Sequence, residues 1–345
     1  MSDKVVKLSQ ANRCSAPPGC GMGGRRMIKA AIVLIALGYC SLLVYQGGVS
    51  FNFQERPVQV ADISIEPVTK TSILDSGQSK NITLDDIFIS VKTTKNYEDT
   101  RLPIILKTWF QLAKEQTWFF TDTNNPLHQN QTNGHMVDTK CPASHQSSHL
   151  CCKMSVEYDY FLESGKKWFC HFDDDNYVNV PRLVSILQQY NHQNDWYLGR
   201  TSVSKPVKIF KKPTNKLWFS FWFATGGAGF CISRSLALKM LPIASGGRFV
   251  SVCEGTRLPD DMSIGFIIEY LMKKTLTRVP EFHSHYEQMK LLPSETFKEQ
   301  ISFSYFNTKG EWNVVNVPGF DTRYDPTRFL SLHCFLFPQF KFCPR

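Results

Sequence analysis

Three adjacent carboxylates, Asp173, Asp174 and Asp175, follow the aromatic run Trp168-Phe169-Cys170-His171-Phe172 and lead into Asn176-Tyr177-Val178. Three such groups repel one another and would also repel a phosphate. A divalent cation makes the arrangement useful because it reverses the local charge. Oxygen ligands favour Mg, Ca or Mn. The competing reading is a solvated acidic turn in which Asp175 or Asn176 only caps the next segment. Acids set directly after a buried strand disfavour it.

A second acidic pair, Asp260 and Asp261, stands in Leu258-Pro259-Asp260-Asp261 ahead of the apolar segment Met262–Leu271. Acids at a helix start are ordinary caps and dipole partners, which accounts for one of the two and leaves the other available as a general base. In Phe282-His283-Ser284-His285, either histidine could bind metal, although a lone histidine is usually structural. Arg101 follows the first expected strand, where a cation could hold a nucleotide phosphate; by position alone, an exposed arginine at a helix start is the favoured reading. Thr225-Gly226-Gly227-Ala228-Gly229 permits close backbone approach to a ligand or a neighbouring strand, but it is neither a Walker loop nor a dinucleotide fingerprint. Its aromatic flanks are more often core than sugar platform.

These groups need elements to carry them. The segment Asp86–Thr93 alternates like a first strand, and Arg101–Ala113 reads as a helix bearing Leu102, Ile105, Leu106, Trp109 and Leu112. Thr117–Asp122 is a second strand, Met154–Glu163 a helix, and Trp168–Phe172 the strand that delivers the acids to its C-terminal end. Pro181–Leu187 is helix-like and Asp195–Gly199 another strand. Strands alternating with helices predict an α/β fold with a Rossmann-like, mostly parallel sheet covered on both faces. In such sheets ligands bind at the C-terminal ends of the strands.

The 345 residues allow one large domain or two small ones. The net charge of +9 is concentrated at one end: six basic residues against Asp3 give residues 1–29 a net +5. That distribution, with no recognition module, argues against nucleic-acid binding. Ala30–Tyr45 is uncharged and extends uncharged through Phe53. A span over 30–50 is expected to be a signal anchor, with residues 1–29 cytoplasmic, 51–80 a polar lumenal stem and 81–345 a lumenal catalytic domain. A cleaved signal peptide is the rival, without a convincing cleavage site. Eight of the 11 cysteines lie beyond the span, an even number that suggests disulfides without giving their connectivity. A zinc site would call for paired C-x-x-C, which is absent. Asn81 and Asn130 begin glycosylation sequons.

Read together, these blocks closely resemble Fringe, a family of Golgi glycosyltransferases that modify Notch. The resemblance runs from about Leu84 to Arg345 and rests on DDIFISVKTTKNY at 85–97, ESGKKWFCHFDDDNYVN at 163–179, FWFATGGAGFCISR at 221–234, RLPDD at 257–261, FHSH at 282–285 and the terminal CPR. The first 80 residues match only in type.

The resemblance implies a glycosyltransferase-A type fold and inverting, β1,3 transfer of N-acetylglucosamine from UDP-GlcNAc to fucose O-linked on EGF-like repeats of Notch. It implies manganese as cofactor and a single-pass type II enzyme of the Golgi membrane. By motif position, Asp175 and His285 would ligate the metal, Asp174 and Arg101 would contact the donor, and Asp261 would be the base. It also implies the pairings Cys141–Cys152, Cys170–Cys231 and Cys334–Cys343, which leaves Cys151 and Cys253 over. Two alternatives stay open at this point. One is a related metal-dependent transferase with another donor or acceptor; the other is a silent, lectin-like protein that binds Notch. The second would be marked by loss of an acid or of the second histidine, and all are present.

Overall fold

The structure, a computed structural model, describes residues 82–211 and 216–344. The expected tail, anchor and stem and the Asn81 sequon lie outside the described residues.

The central sheet has seven strands: β1 Ile87–Lys92, β2 Thr117–Thr121, β3 Met136–Asp138, β4 Trp168–Asp173, β6 Tyr197–Gly199, β9 Phe230–Ser233 and β10 Thr277–Arg278. Their order is β10-β6-β9-β4-β1-β2-β3. Only β9 runs against the rest, since it pairs antiparallel with both β4 and β6. Three small pairs complete the set: β5 Asn176–Val178 with β11 Ser302–Ser304, β7 Val207–Lys211 with β8 Lys216–Phe221, and β12 Phe306–Thr308 with β13 Glu311–Asn313.

The sheet divides two cores, which explains why its strands are buried on both sides rather than half-wetted. Along β1, Ile87, Ile89 and Val91 enter one core while Phe88 enters the other. Along β4, Trp168, Cys170 and Phe172 enter the first and Phe169 the second. The first core is closed by Leu102, Ile105 and Leu106 and by Leu183 and Ile186 of the helix Val180–Leu187. The second is closed by Met154, Tyr158 and Phe161 of the helix Ser147–Ser164, by Leu236 and Met240 of Arg234–Ala244, and by Ile264 and Ile267.

Two expected helices have different bounds. The helix read over Arg101–Ala113 is Leu102–Lys107 followed by a separate 3-10 turn, Trp109–Leu112. At the break, Thr108 Oγ1 donates to the Ile104 carbonyl at 2.7 Å, which competes with the helical pattern. The Trp109 indole N–H is then free to donate to the buried Asn176 carbonyl at 3.1 Å. The helix expected over Met154–Glu163 begins earlier, at Ser147. The segment read as a helix to Leu271 is α-helical over Asp260–Gly265 and π-helical over Phe266–Leu271.

The strand order reverses between β1 and β4: from β1 the chain proceeds outward to β2 and β3, then returns to place β4 on the other side. That reversal opens a crevice at the C-terminal ends. Lys92 at the end of β1 stands opposite Asp173 at the end of β4. On its far side β4 lies against β9 with Cys170 opposite Cys231, and the two are joined by a disulfide. Cys141–Cys152 and Cys334–Cys343 are also bridged, as the resemblance implies, and Cys151 and Cys253 form a fourth bridge.

Candidate active site

The crevice is a cleft of about 800 Å³ whose walls include Lys92, Thr93, Arg101, Asp173, Asp174, Asp175, Gly226, Gly227, Asp261 and His285. The tight turn between β4 and β5 fixes the acids. The Asn176 carboxamide accepts from the Asp173 N–H at 3.0 Å and donates to the Gly227 carbonyl at 2.8 Å, so one side chain ties the acidic turn to the glycine segment.

Asp174 is held at both oxygens. Arg101 donates to one at 2.5 Å and the Thr93 hydroxyl to the other at 2.8 Å. The Arg101 guanidinium lies 3.7 Å over the Tyr97 ring and 3.7 Å from Asp175. It is therefore a fixed part of the cleft, not the exposed helix-start residue that its position alone favours. Burial works against its charge, but Asp174 and Asp175 hold it protonated far above the usual arginine range.

Asp175 is different. Burial, aided by Asp173, pushes its carboxyl up to about 8, with Arg101 opposing. Its Oδ1 is buried without a hydrogen-bond partner, and so is His285 Nδ1, which stands 3.7 Å from Asp175 Oδ2. Burial holds the His285 imidazole below its ordinary value and favours the neutral ring, the form that ligates metal. An oxygen and a nitrogen without hydrogen-bond partners, on side chains that approach to 3.7 Å, suit a cation such as Mn. Among the described residues no group of three or more His, Cys, Asp and Glu side chains could hold a metal alone. With Asp175 and His285 as its protein ligands, a cation would keep coordination positions for substrate oxygens.

The expected base stands at the start of the helix Asp260–Gly265. Asp261 Oδ2 accepts from the Gly226 N–H at 3.0 Å, and its Oδ1 from the Met262 N–H at 2.7 Å. Burial and the adjacent Asp260 push its carboxyl up to about 6, within the range useful to a general base. Asp260 is the structural member of the pair, with Oδ2 2.6 Å from Lys92 Nζ. Gly227, next to the residue that tethers Asp261, backs onto His285: a Cβ there would lie 3.3 Å from His285 Cε1. The two glycines thus bring the base and the histidine close without side chains between them.

Of the two histidines, His283 is structural. Its ring nitrogens face Gln300 at 2.8 Å and Glu287 at 3.0 Å. Asn130 is exposed on the short helix Pro126–Gln131, away from the cleft lining.

Sequence reasoning missed the layer beneath the acids. Lys92 Nζ lies 3.1 Å from Asp173 and 2.6 Å from Asp260. Burial opposes its charge, yet Asp173, Asp260 and Glu157 raise its pKa well above the lysine value. His171, fully buried, meets Glu157 at 2.6 Å and Asp173 at 3.5 Å. Burial alone would neutralise it, but Glu157 prevails and pushes it up to about 9. Glu157 also accepts from Ser90 at 2.6 Å. Glu157, His171, Asp173, Lys92 and Asp260 therefore form a row of alternating charges that runs from the buried Glu157 and His171 into the cleft wall. Its signal in the sequence was polar residues at otherwise apolar positions: Ser90 and Lys92 in β1, His171 in β4, and Glu157 on the buried face of the helix Ser147–Ser164.

One cleft gathers the Asp261 carboxylate with Asp175 and His285, and comparison with known proteins gives the class of protein to which it belongs. A family model described as Fringe-like matches residues 82–340. The Fringe glycosyltransferase of Drosophila melanogaster is 59% identical over 286 residues, covering 82% of this chain and 68% of that protein. The β-1,3-N-acetylglucosaminyltransferases lunatic fringe of Danio rerio and Homo sapiens are 46% and 48% identical, over 78% and 75% of this chain and 73% and 69% of their own lengths. A solved glycosyltransferase involved in glycosylation of the PBCV-1 major capsid aligns at TM-score 0.35 and 13% identity, covering 63% of this chain and 92% of that one. The chain belongs to the Fringe-like family and is a glycosyltransferase.

Proposed function

We propose that this enzyme has a glycosyltransferase-A type fold and transfers N-acetylglucosamine from UDP-GlcNAc, with inversion, to the 3-hydroxyl of fucose O-linked on EGF-like repeats of Notch, modulating Notch signalling. The observation that carries the reading is the tethered Asp261 carboxylate, raised to about 6 and facing the same cleft as Asp175 and His285. The fucose hydroxyl oxygen attacks the anomeric carbon as its proton passes to an Asp261 oxygen. The bond from that carbon to the diphosphate breaks, its electron pair leaves with UDP, and one displacement turns an α-linked donor into a β1,3 product. Both Asp261 oxygens already accept a backbone N–H, and each keeps a second lone pair for the proton. Asp174 and Arg101, locked to each other, offer the donor a hydrogen-bonding carboxylate edge and a cation. Asp175 and His285 would hold manganese, which when bound supplies charge stabilisation at the leaving diphosphate.

The cellular setting follows from the same reading. Four disulfides support an oxidising compartment. The basic cluster before an apolar run supports a single-pass type II protein of the Golgi membrane, with Asn81 and Asn130 as lumenal glycosylation sites.

The test is sugar transfer by the detergent-solubilised full chain to a folded EGF-like repeat carrying O-fucose, comparing UDP-GlcNAc with UDP-galactose, with manganese and with EDTA. Manganese-dependent addition of N-acetylglucosamine is expected. Use of UDP-galactose alone would overturn the donor assignment, and undiminished transfer in EDTA would overturn the metal site.

A further inference from the structure

The cleft continues outward over a set of aromatic rings that the chemistry above does not use. His285 stacks on Phe306 with centroids 5.3 Å apart and planes 21° apart, and the Tyr286 ring lies 4.5 Å from His285. Exposure grows along the set: His285 is partly buried, Phe306 is 47% exposed and Tyr286 73%. All three line the cleft, so the exposed end of the set is continuous with its mouth.

The rim is also fixed in place. Asn313, on the β12–β13 hairpin beside Phe306, donates to the carbonyls of His285 and Glu287 at 2.9 and 2.6 Å and accepts from the Met289 N–H at 2.9 Å. One side chain thus binds the hairpin to the loop that carries His285 and Tyr286. A preset aromatic surface costs little ordering on binding. Tyrosine and phenylalanine are the residues that most often supply contact area at protein interfaces.

We propose that Tyr286, backed by Phe306, is the surface on which the polypeptide carrying the acceptor sugar rests, and that it selects folded acceptor domains presenting an apolar side chain next to their glycan. This rests on the function proposed above. With its reacting hydroxyl at Asp261, the sugar lies inside the cleft, and the protein to which it is joined has to leave through the mouth. The rim is then the first enzyme surface that this protein meets. An acidic acceptor surface finds no partner in these rings, whereas an apolar one buries them and itself.

The test compares two acceptors for each enzyme form: a folded EGF-like repeat bearing O-fucose and a small aryl fucoside with no polypeptide. For Tyr286→Ala, the ratio of kcat/KM for the folded repeat to that for the fucoside is expected to fall about tenfold, mainly through KM for the repeat. Tyr286→Leu, which restores apolar area without the hydroxyl, is expected to recover most of the ratio. An unchanged ratio in Tyr286→Ala, or equal losses on both acceptors, would overturn the proposal while leaving the transferase reading standing. Failure of the unaltered enzyme on both acceptors would overturn the transferase reading and this inference with it.

Discussion

Lys92 and Asp260, 168 positions apart in sequence, meet at 2.6 Å in the wall of the cleft. Lys92 also lies 3.1 Å from Asp173, so one cation joins the end of β1, the acidic end of β4 and the helix that bears Asp261. The geometry between the acid turn and the base depends on this contact. Replacing Lys92 by Met leaves Asp260 without its counter-charge and Asp173 with His171 alone, at 3.5 Å. Loss of one partner of a buried pair is expected to cost about 3–5 kcal/mol and to lower the melting temperature by on the order of 10 °C, as thermal unfolding of the purified protein would read.

Asp261→Asn keeps the shape and an oxygen for one of the two backbone N–H groups, sets its amide NH2 against the other, and cannot take a proton. Turnover is expected to fall by at least about a hundredfold while donor binding is retained. Calorimetric titration with UDP-GlcNAc beside the transfer assay separates the two; an active Asn variant would remove Asp261 from the role of base.

Acidification should give a related loss. With its carboxyl raised to about 6, Asp261 is ionised and able to accept a proton above that pH and is protonated below it. The kcat/KM profile is therefore expected to fall on the acid side with a midpoint near 6, in contrast to an unperturbed aspartate near 4. A flat profile from pH 7 to 5 would contradict the assignment.

The glycines make separable predictions. Gly227→Ala puts a Cβ 3.3 Å from His285 Cε1, so the ring must shift slightly. The manganese concentration for half-maximal activity is expected to rise about tenfold with the fold intact by circular dichroism. Gly229 has φ +84°, and a Cβ there would lie 2.3 Å from the Phe172 ring and 2.9 Å from the His171 carbonyl. Gly229→Ala is expected to yield no folded protein.

The Cys151–Cys253 bridge spans 102 residues and already contains the Cys170–Cys231 crosslink within its loop. With that shortening, removing it as a Cys151→Ala, Cys253→Ala pair is expected to cost about 4 kcal/mol by loop entropy. Denaturant unfolding would measure the loss, and an unchanged midpoint would mean that the bridge adds no stability.

The acidic turn, the second acidic pair and the parallel sheet were legible because each is local: an aromatic run ending in Asp173-Asp174-Asp175 states its own geometry. Three bridges followed from family likeness, whereas the partnership of Cys151 and Cys253 was open because spacing does not encode which helices pack together. Family likeness pointed to Arg101, but its packing into the cleft was hidden from position alone for the same reason. Its partner, Asp174, is 73 residues away and reaches it only because β1 and β4 are neighbours. Glu157 and His171 left a trace as polar residues among apolar ones, but only the folded register shows that Asp173 completes their row. The break at Thr108 could not be seen from periodicity, which runs through it unchanged.

The Lys92–Asp260 contact also bears on when the enzyme becomes competent during synthesis. Its members and His285 are drawn from the first and later parts of the domain, and contacts of such long sequence separation form late and slowly. A nascent chain that has reached only the acidic turn has neither the base nor the histidine, and its acids stand without the carboxylate that shares their lysine. Completion of the cleft therefore reports that nearly the whole domain has been made and folded, because truncated or half-folded chains lack Asp261 and His285.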